Sequence, residues 1–454
     1  MKHPAYPRKA LLALQEWKVR PSRKPLIIRG ARQVGKSTLV TEFARSYPHH
    51  IVLNLERAAD RALFQQHDGV KPLMDALLLR ERKSPAGGPL LLFVDEIQES
   101  PEAIRLLRYF HEDMPELHVI AAGSLLEFAL VDVKSFPVGR VEFLYMHPLN
   151  FEEFLLAMDH GAALTALRTV PPPPHAHAVL LDLFHRYAII GGMPEVVSEY
   201  LAHGSVAQLP RTYAGIWDAY TADVEKYART TTQQAVVRHI MASAPASLDQ
   251  RIKYERFGHS NYRSREVGEA FRALDAAMVI QVIHPTTSLH PPVIADLRKA
   301  PRLQFLDTGL VHHALGLQGE LIGMNDLADA YKGALIPHLI AQELMSLHEE
   351  RRYKPHFWVR EKHQAHAEVD LVLAHGGSLL PVEVKSGAVG KLRSLQQFVE
   401  ASGSPYAVRM YAGAFSVERH ATPQGTPYLL MNLPYYTGTQ LPQYIEWFVR
   451  EHAL

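Results

Sequence analysis

The stretch Gly30-Ala31-Arg32-Gln33-Val34-Gly35-Lys36-Ser37 limits the fold more than any other part of the chain. It fits G-x-x-x-x-G-K-[ST], a loop that functions between a strand and a helix. Its glycines let the backbone turn N–H groups inward around phosphate oxygens. The helix expected from Lys36 through Thr38 to Ala44 aims its positive end at the same anion. Lys36 would neutralise the β- and γ-phosphates of a nucleotide, and the Ser37 hydroxyl would hold Mg²⁺. The apolar run Leu26-Ile27-Ile28 provides the strand before the loop. The expected ligands are ATP and Mg²⁺, with Gly30, Ala31, Arg32, Gln33, Val34, Gly35, Lys36, Ser37 and Thr38 as the contact residues.

A second segment completes that chemistry. Leu90 to Val94 is an apolar strand ending in Asp95-Glu96. By itself such an ending is as readily a strand cap. After a phosphate loop, the carboxylates stand at the ligand edge of a parallel sheet. Asp95 would orient Mg²⁺, and Glu96 would polarise the attacking water, which favours hydrolysis over binding alone. Val119 to Ala122 is another strand, and Ser124 just beyond it could sense the γ-phosphate or the water. Arg140 could supply positive charge to the transition state, in cis or in trans across a homo-oligomer. The alternative for Arg140 is a surface arginine in a turn.

At 454 residues the chain exceeds what one core supports, about 250–300 residues, so two or more domains are expected. Strands at 26–28, 51–55, 90–94 and 119–122 alternate with helical patterns such as 102–112, which predicts a parallel sheet covered on both faces. Pro171 to Pro174 can be neither helix nor a central strand and reads as a stiff spacer or loop. Helical patterns follow at 178–200, broken at Gly191-Gly192, and at 209–228. Ser264 can cap a helix carrying Val267, Phe271, Leu274 and Met278, with a strand at 279–283 after it, an order that suits a winged helix. A second αβ region is expected from near Leu327, with a helix at 335–348 and strands at 356–359, 369–373 and 379–384.

The 48 basic and 47 acidic residues leave a net charge of +1, so any nucleic-acid surface must be a local patch. One such stretch holds Arg251, Lys253, Arg256, Arg263, Arg265 and Arg272 against Glu255, Glu266 and Glu269, six bases to three acids. It reads as phosphate contacts for DNA or RNA, or as a solvated helix face. Cysteine is absent, which removes disulfides, thiolate zinc sites and thiol catalysis. His49-His50, His312-His313 and His175/His177 lack carboxylates at ligand spacing and read as surface groups. No run approaches the roughly 18 apolar residues that span a bilayer, and no secretory signal opens the chain, so a cytoplasmic protein without membrane contact is expected.

A further constellation lies near the C-terminus. Ala367-Glu368-Val369-Asp370 opens a strand, His375-Gly376-Gly377 makes a tight turn, and Pro381-Val382-Glu383-Val384-Lys385 returns. Glu383 and Lys385 share one face, on which Asp370 can converge. Asp370 and Glu383 would hold a metal, Lys385 would orient or deprotonate water, and Glu343 on the preceding helix is a further candidate ligand. A solvated surface hairpin is the competing interpretation.

These residues resemble the prokaryotic AAA-type P-loop ATPases that carry a C-terminal domain related to PD-(D/E)xK nucleases. The resemblance takes in the phosphate loop, Asp95-Glu96, Gly123-Ser124 and Gly139-Arg140-Val141. It also takes in Pro148-Leu149, Phe151-Glu152-Glu153-Phe154, Gly191-Gly192-Met193-Pro194-Glu195 and Asp307-Thr308-Gly309-Leu310. Val369 stands where the nuclease pattern has proline. The resemblance implies an α/β multidomain chain: an ATPase domain with a parallel sheet at 1–160, a helical lid at 161–235, a winged-helix-like domain at 236–320 and a nuclease-like αβ domain at 321–454. It implies ATP hydrolysis driving a switch or motor whose C-terminal half engages, and can cleave, nucleic acid. The alternative is a regulatory or scaffolding ATPase whose inactive nuclease-like domain binds a protein.

Overall fold

The computed structural model describes residues 6–67, 69–83, 88–124, 126, 137, 139–226, 228, 230–317, 334–362, 365–385 and 392–452. The chain divides into two compact units. The first is Met1–Pro148 with Ala276–Val279 and His348–Arg352; the second is Leu149–Asp275 with Ile280–Leu347 and Tyr353–Leu454.

In the first unit, strands β1 (Leu26–Arg29), β2 (His49–Asn54), β3 (Leu90–Asp95), β4 (His118–Gly123) and β5 (Glu142–Tyr145) form one sheet in the order β2-β3-β4-β1-β5. Every pairing is parallel. Strands covered on both faces need apolar side chains on both, and Leu90 to Val94 and all of β4 are buried accordingly. Helix Pro101–Asp113 shows how the crossovers pack. Ser100 caps it by accepting from the Ala103 N–H, Pro101 sits in its first turn, and Ile104, Leu107 and Phe110 face the core. Arg29 of β1 pairs with Gly123 of β4, and β3 runs beside β4 in the same direction. The loops after β1, β3 and β4 therefore leave from one edge of the sheet.

The second unit opens with helices that include Phe151–Ala157, His177–Ile190, Pro194–His203, Pro210–Glu225 and Thr231–Ser243. Helix Ser264–Ala276 precedes β6 (Ile280–Ile283), which pairs antiparallel with β7 (Arg302–Phe305). A six-stranded mixed sheet follows: β8 (His356–Lys362), β9 (Ala365–His375), β10 (Ser378–Val384), β11 (Tyr406–Tyr411), β12 (Ser416–Ala421) and β13 (Pro427–Pro434), in the order β12-β13-β11-β10-β9-β8. The β9–β10 hairpin turns on Gly376 and Gly377, with φ of 55° and 80°. Left-handed conformation at both central residues matches the twist of the flanking strands and suits glycine. Trp358, Val369 and Leu379 on one sheet face pack against Phe398 of helix Arg393–Ser402.

Two expectations are corrected. Pro174 is not part of a purely extended spacer, because it opens a single turn, Pro174–Ala176, at a position where its missing N–H costs nothing. His312 is not a surface group; it is 2% exposed on helix Thr308–Ala314. The expected start of the last domain, near 321–327, lies outside the described residues. Among the described residues no helix is long and apolar enough to cross a membrane.

Candidate nucleotide site and a second charged cluster

The phosphate loop is built as its residue types require. Helix Lys36–Ala44 begins directly at the lysine, and Gly35 before it has φ 96°. A side chain at Gly30 would collide with the Met146 carbonyl oxygen. Lys36 is 6% exposed, and its ammonium donates to the Gly30 and Ala31 carbonyl oxygens at 3.0 and 2.8 Å. Burial lowers its pKa to about 8 against the opposing pull of Glu96 and Asp95. The loop is braced by Arg8, which lies in no motif that would single it out. Its guanidinium donates to Val34 O at 2.9 Å and His147 O at 2.6 Å.

The carboxylates that end β3 meet this loop. Burial raises the Asp95 pKa, while a hydrogen bond from Ser37 opposes the rise. Ser37 and Asp95 are thus already joined, at the place where the loop hydroxyl and a strand-end carboxylate would share Mg²⁺. Glu96 adopts a left-handed conformation, φ 52° and ψ 48°. Its Oε2 accepts from Gln98 Nε2 at 2.5 Å. Gln98 stands against Gly123, where any side chain would meet its Oε1, an atom buried without a partner. Ser124 follows at the end of β4 and is buried. The residues present fit a nucleotide and Mg²⁺: a glycine cradle, a buried lysine held on loop carbonyls, and a hydroxyl–carboxylate pair. Arg140 is half-exposed, with Nε donating to Glu112 Oε1 at 2.8 Å; Arg32 is 3.9 Å from Glu56.

In the second unit, Asp370, Glu383 and Lys385 converge. Leu371 pairs with Val382, so the next step of the same antiparallel register sets Asp370 opposite Glu383. Asp370 Oδ2 accepts from the Val384 N–H at 2.9 Å, and Lys385 Nζ is ion-paired with Glu383. Burial first, and the Asp370 charge second, push the Glu383 carboxyl upward. Two residues with no local motif join them. Arg302 of β7 contacts Asp249 at 2.8 Å, Asp370 at 3.6 Å and Glu368, and its guanidinium lies 4.6 Å from the centroid of the Phe357 ring. Burial pushes the Asp249 carboxyl up, with Arg302 opposing.

Glu343 is not in this cluster. It is 1% exposed, accepts from the Phe151 N–H at 3.1 and 3.3 Å, and lies 2.7 Å from the Tyr187 hydroxyl. Among the described residues no three His, Asp or Glu are arranged to hold a metal ion. The metal roles expected of Glu343, Asp370 and Glu383 therefore do not fit the site as it stands: Glu343 is spent on the backbone of helix Phe151–Ala157, and a guanidinium stands among the remaining carboxylates.

Beside the cluster runs an open groove of about 710 Å³ of mixed charge, lined by the bases Arg251, Lys253, Arg298 and Lys299 and the acids Glu255, Asp296 and Glu361, among others. Arg251 and Lys299 share Glu361, at 2.6 Å each, and Arg298 pairs with Asp296. Lys253, Arg256, Arg263 and Arg272 are exposed, whereas Arg265 is tied to Glu269 along its own helix.

Three family models match successive parts of the chain: an AAA domain over residues 22–155, a domain of unknown function (DUF8612) over 181–321, and another (DUF4143) over 332–430. No curated protein matches. Similar solved structures include a Walker-type ATPase of Pyrococcus abyssi, at 14% identity and TM-score 0.43, covering 68% of this chain and 96% of that one. A signal-transduction ATPase with a tetratricopeptide-repeat sensor from Pyrococcus horikoshii has 11% identity and TM-score 0.27, covering 73% and 47%. Drosophila ORC bound to DNA has 14% identity and TM-score 0.25, covering 69% and 88%. At these scores the structural likenesses assign no function. The family match and the loop geometry agree, and residues 22–155 are an AAA-type P-loop ATPase domain.

Proposed function

We propose that the chain is a Mg-dependent ATP-hydrolysing switch whose second unit engages nucleic acid. In the ATPase domain, the loop N–H groups and Lys36 bind and orient the phosphates, and Ser37 and Asp95 would hold Mg²⁺. Mg²⁺, when bound, neutralises charge on the phosphates. Glu96 takes the proton of the attacking water, Gln98 sets the carboxylate's direction, and Ser124 reports on the outer phosphate. Around that domain we assign a helical lid at 161–235, a winged-helix-like domain at 236–320 and a nuclease-like domain at 321–454. The helix Ser264–Ala276 followed by the β6–β7 pair supports the winged-helix-like assignment.

The observation that carries the nucleic-acid half is the set of exposed cations Lys253, Arg256, Arg263 and Arg272 in one unit, of which Lys253 lines the groove that Arg251 and Lys299 also line. Cations spaced along a groove suit a phosphate backbone, and their contribution falls with salt. The test is ATP turnover and fluorescence anisotropy with single- and double-stranded DNA and RNA. Binding should weaken steeply between 50 and 200 mM salt, by about tenfold or more for several phosphate contacts. Lys253→Glu with Arg256→Glu should reduce both the affinity and the salt slope. No binding at low salt, together with unchanged turnover, would remove the nucleic-acid half. A regulatory or scaffolding ATPase whose inactive nuclease-like domain binds a protein partner is the second reading, and the guanidinium among the carboxylates favours it.

A further inference from the structure

We infer that Arg302 is the resident counter-ion of the carboxylate cluster on β9 and β10, standing where a divalent cation would otherwise sit and keeping that site closed. The inference rests on the nuclease-like reading of the second unit and concerns its regulation. Four carboxylates, Asp249, Glu368, Asp370 and Glu383, are gathered with two cations, Arg302 and Lys385. Lys385 is engaged with Glu383, and among the described residues Arg302 is the side chain ion-paired with Asp249, Glu368 and Asp370. A planar fork can meet several carboxylates at once, which an ammonium cannot do as well.

Its place is held from several sides. The Arg302 side chain is 15% exposed and lies over Phe357. Arg251 bridges to Arg302 across the backbone, and Arg251 with Lys299 grips Glu361 on β8. Val359 pairs with Glu368, so Glu361, Glu368 and Asp370 occupy one sheet face by alternation. Residues 249–251 and 299–302 are thus fastened by ion pairs onto the face that bears the cluster.

One atom points to a missing ligand. Glu383 is 6% exposed, and its Oε2 is buried with no hydrogen-bond partner. A carboxylate oxygen left unanswered beside three further acids is a vacant donor, and oxygen donors of this kind suit Mg²⁺ or Mn²⁺. The guanidinium and a cation bound to Asp370 cannot occupy the same space. Admission of the cation therefore requires β7 to withdraw Arg302, and the same withdrawal would disturb the groove that Arg251 and Lys299 line.

The test is Mn²⁺ binding to the nucleotide-free full chain, followed by the loss of the free-ion EPR signal and by the Mn²⁺-dependent change in melting temperature. Arg302→Met should gain one site at least tenfold tighter than any in the wild type, with a matching rise in Tm. Arg302→Met with Asp370→Asn should lose it. If Arg302→Met does not fold, Arg302→Lys is the variant to use: it keeps the charge without the fork and should gain a weaker site. A wild type that already fills an Asp370-dependent site overturns the inference and leaves the nuclease-like reading standing. A folded variant that gains no site overturns the inference and the metal reading of the cluster together. Nucleic-acid binding by the same samples then shows whether the groove reading survives.

Discussion

At the scale of single residues, the ATP site divides its work between a charge and a base, and the two can be separated. Lys36→Ala should abolish tight Mg-ATP binding, whereas Glu96→Gln should retain binding and slow hydrolysis by about a hundredfold or more. Parental turnover in Glu96→Gln would exclude Glu96 as the water-polarising carboxylate. Lys36 adds a pH dependence. Burial has lowered its pKa to about 8, and only the ammonium form pairs with phosphate. ATP affinity should fall as pH rises through 8, and binding at pH 8.5 should take up a proton. Calorimetry in two buffers of different ionisation heat measures that uptake, and equal heats would contradict it. The loop was legible because its chemistry is local: eight consecutive residues carry it, and Ser37 and Asp95 meet as their spacing along strand and helix implies. Gln98 and Arg302 were not legible. Each acts through a partner brought near only by the fold, and neither sits in a pattern that marks it.

At the scale of elements, the buried residue Glu343 joins three segments of the second unit. The Tyr187 hydroxyl lies 3.0 Å from the Leu149 carbonyl oxygen and 2.7 Å from Glu343. Tyr187 donates to the Glu343 carboxyl, which by itself would lower its pKa, but burial outweighs that bond and pushes the Glu343 pKa up to about 8. The sign of the pH effect follows. The folded chain holds the Glu343 proton more tightly than the unfolded chain, so its contribution to stability is full below about pH 4.5 and is lost as pH rises through 8. Glu343→Gln should flatten that slope in denaturant unfolding at pH 5.5, 7 and 8.5. Glu343→Ala should cost about 2–4 kcal/mol, through a cavity and an orphaned Phe151 N–H. An unchanged slope in Glu343→Gln would place the proton elsewhere. The helix at 335–346 was readable from its apolar pattern, but the direction of Glu343 was not. A nearly all-buried helix has no polar face to orient it, and the acid turned to a helix N-terminus instead of the β9–β10 cluster. The hairpin register, by contrast, was set in advance by alternation and by Gly376-Gly377, and it placed Asp370 opposite Glu383 as expected.

At the scale of the whole molecule, the parallel sheet and strands β8, β9 and β10 of the mixed sheet could be anticipated because apolar strands state their own burial, whereas β11, β12 and β13 were not anticipated, and β12, largely exposed, carries no such signal. The short strand β5 could not be anticipated either, since its four residues gain their place only by pairing with β1. The same limit applies to Arg140, whose partner in function has no trace in a single chain. Its guanidinium is held by Glu112, which Arg108 also contacts at 3.1 Å. Both arginines are about half exposed, so these pairs are worth little and can exchange for a phosphate at small cost. An arginine on the surface of one copy can reach the nucleotide of another only if copies assemble. A trans role therefore predicts that ATP promotes self-association, seen as a shift in sedimentation, and that turnover per chain rises with protein concentration. Arg140→Ala should then bind ATP normally and lose hydrolysis by about a thousandfold, the scale of a missing transition-state charge. Mixing Arg140→Ala with Lys36→Ala sharpens the test. The first variant supplies an intact phosphate site and the second an intact arginine, so mixed assemblies should recover turnover that neither shows alone. A cis role predicts no recovery at any ratio. A monomer by sedimentation, with constant turnover per chain across the dilution series, would exclude the trans arrangement.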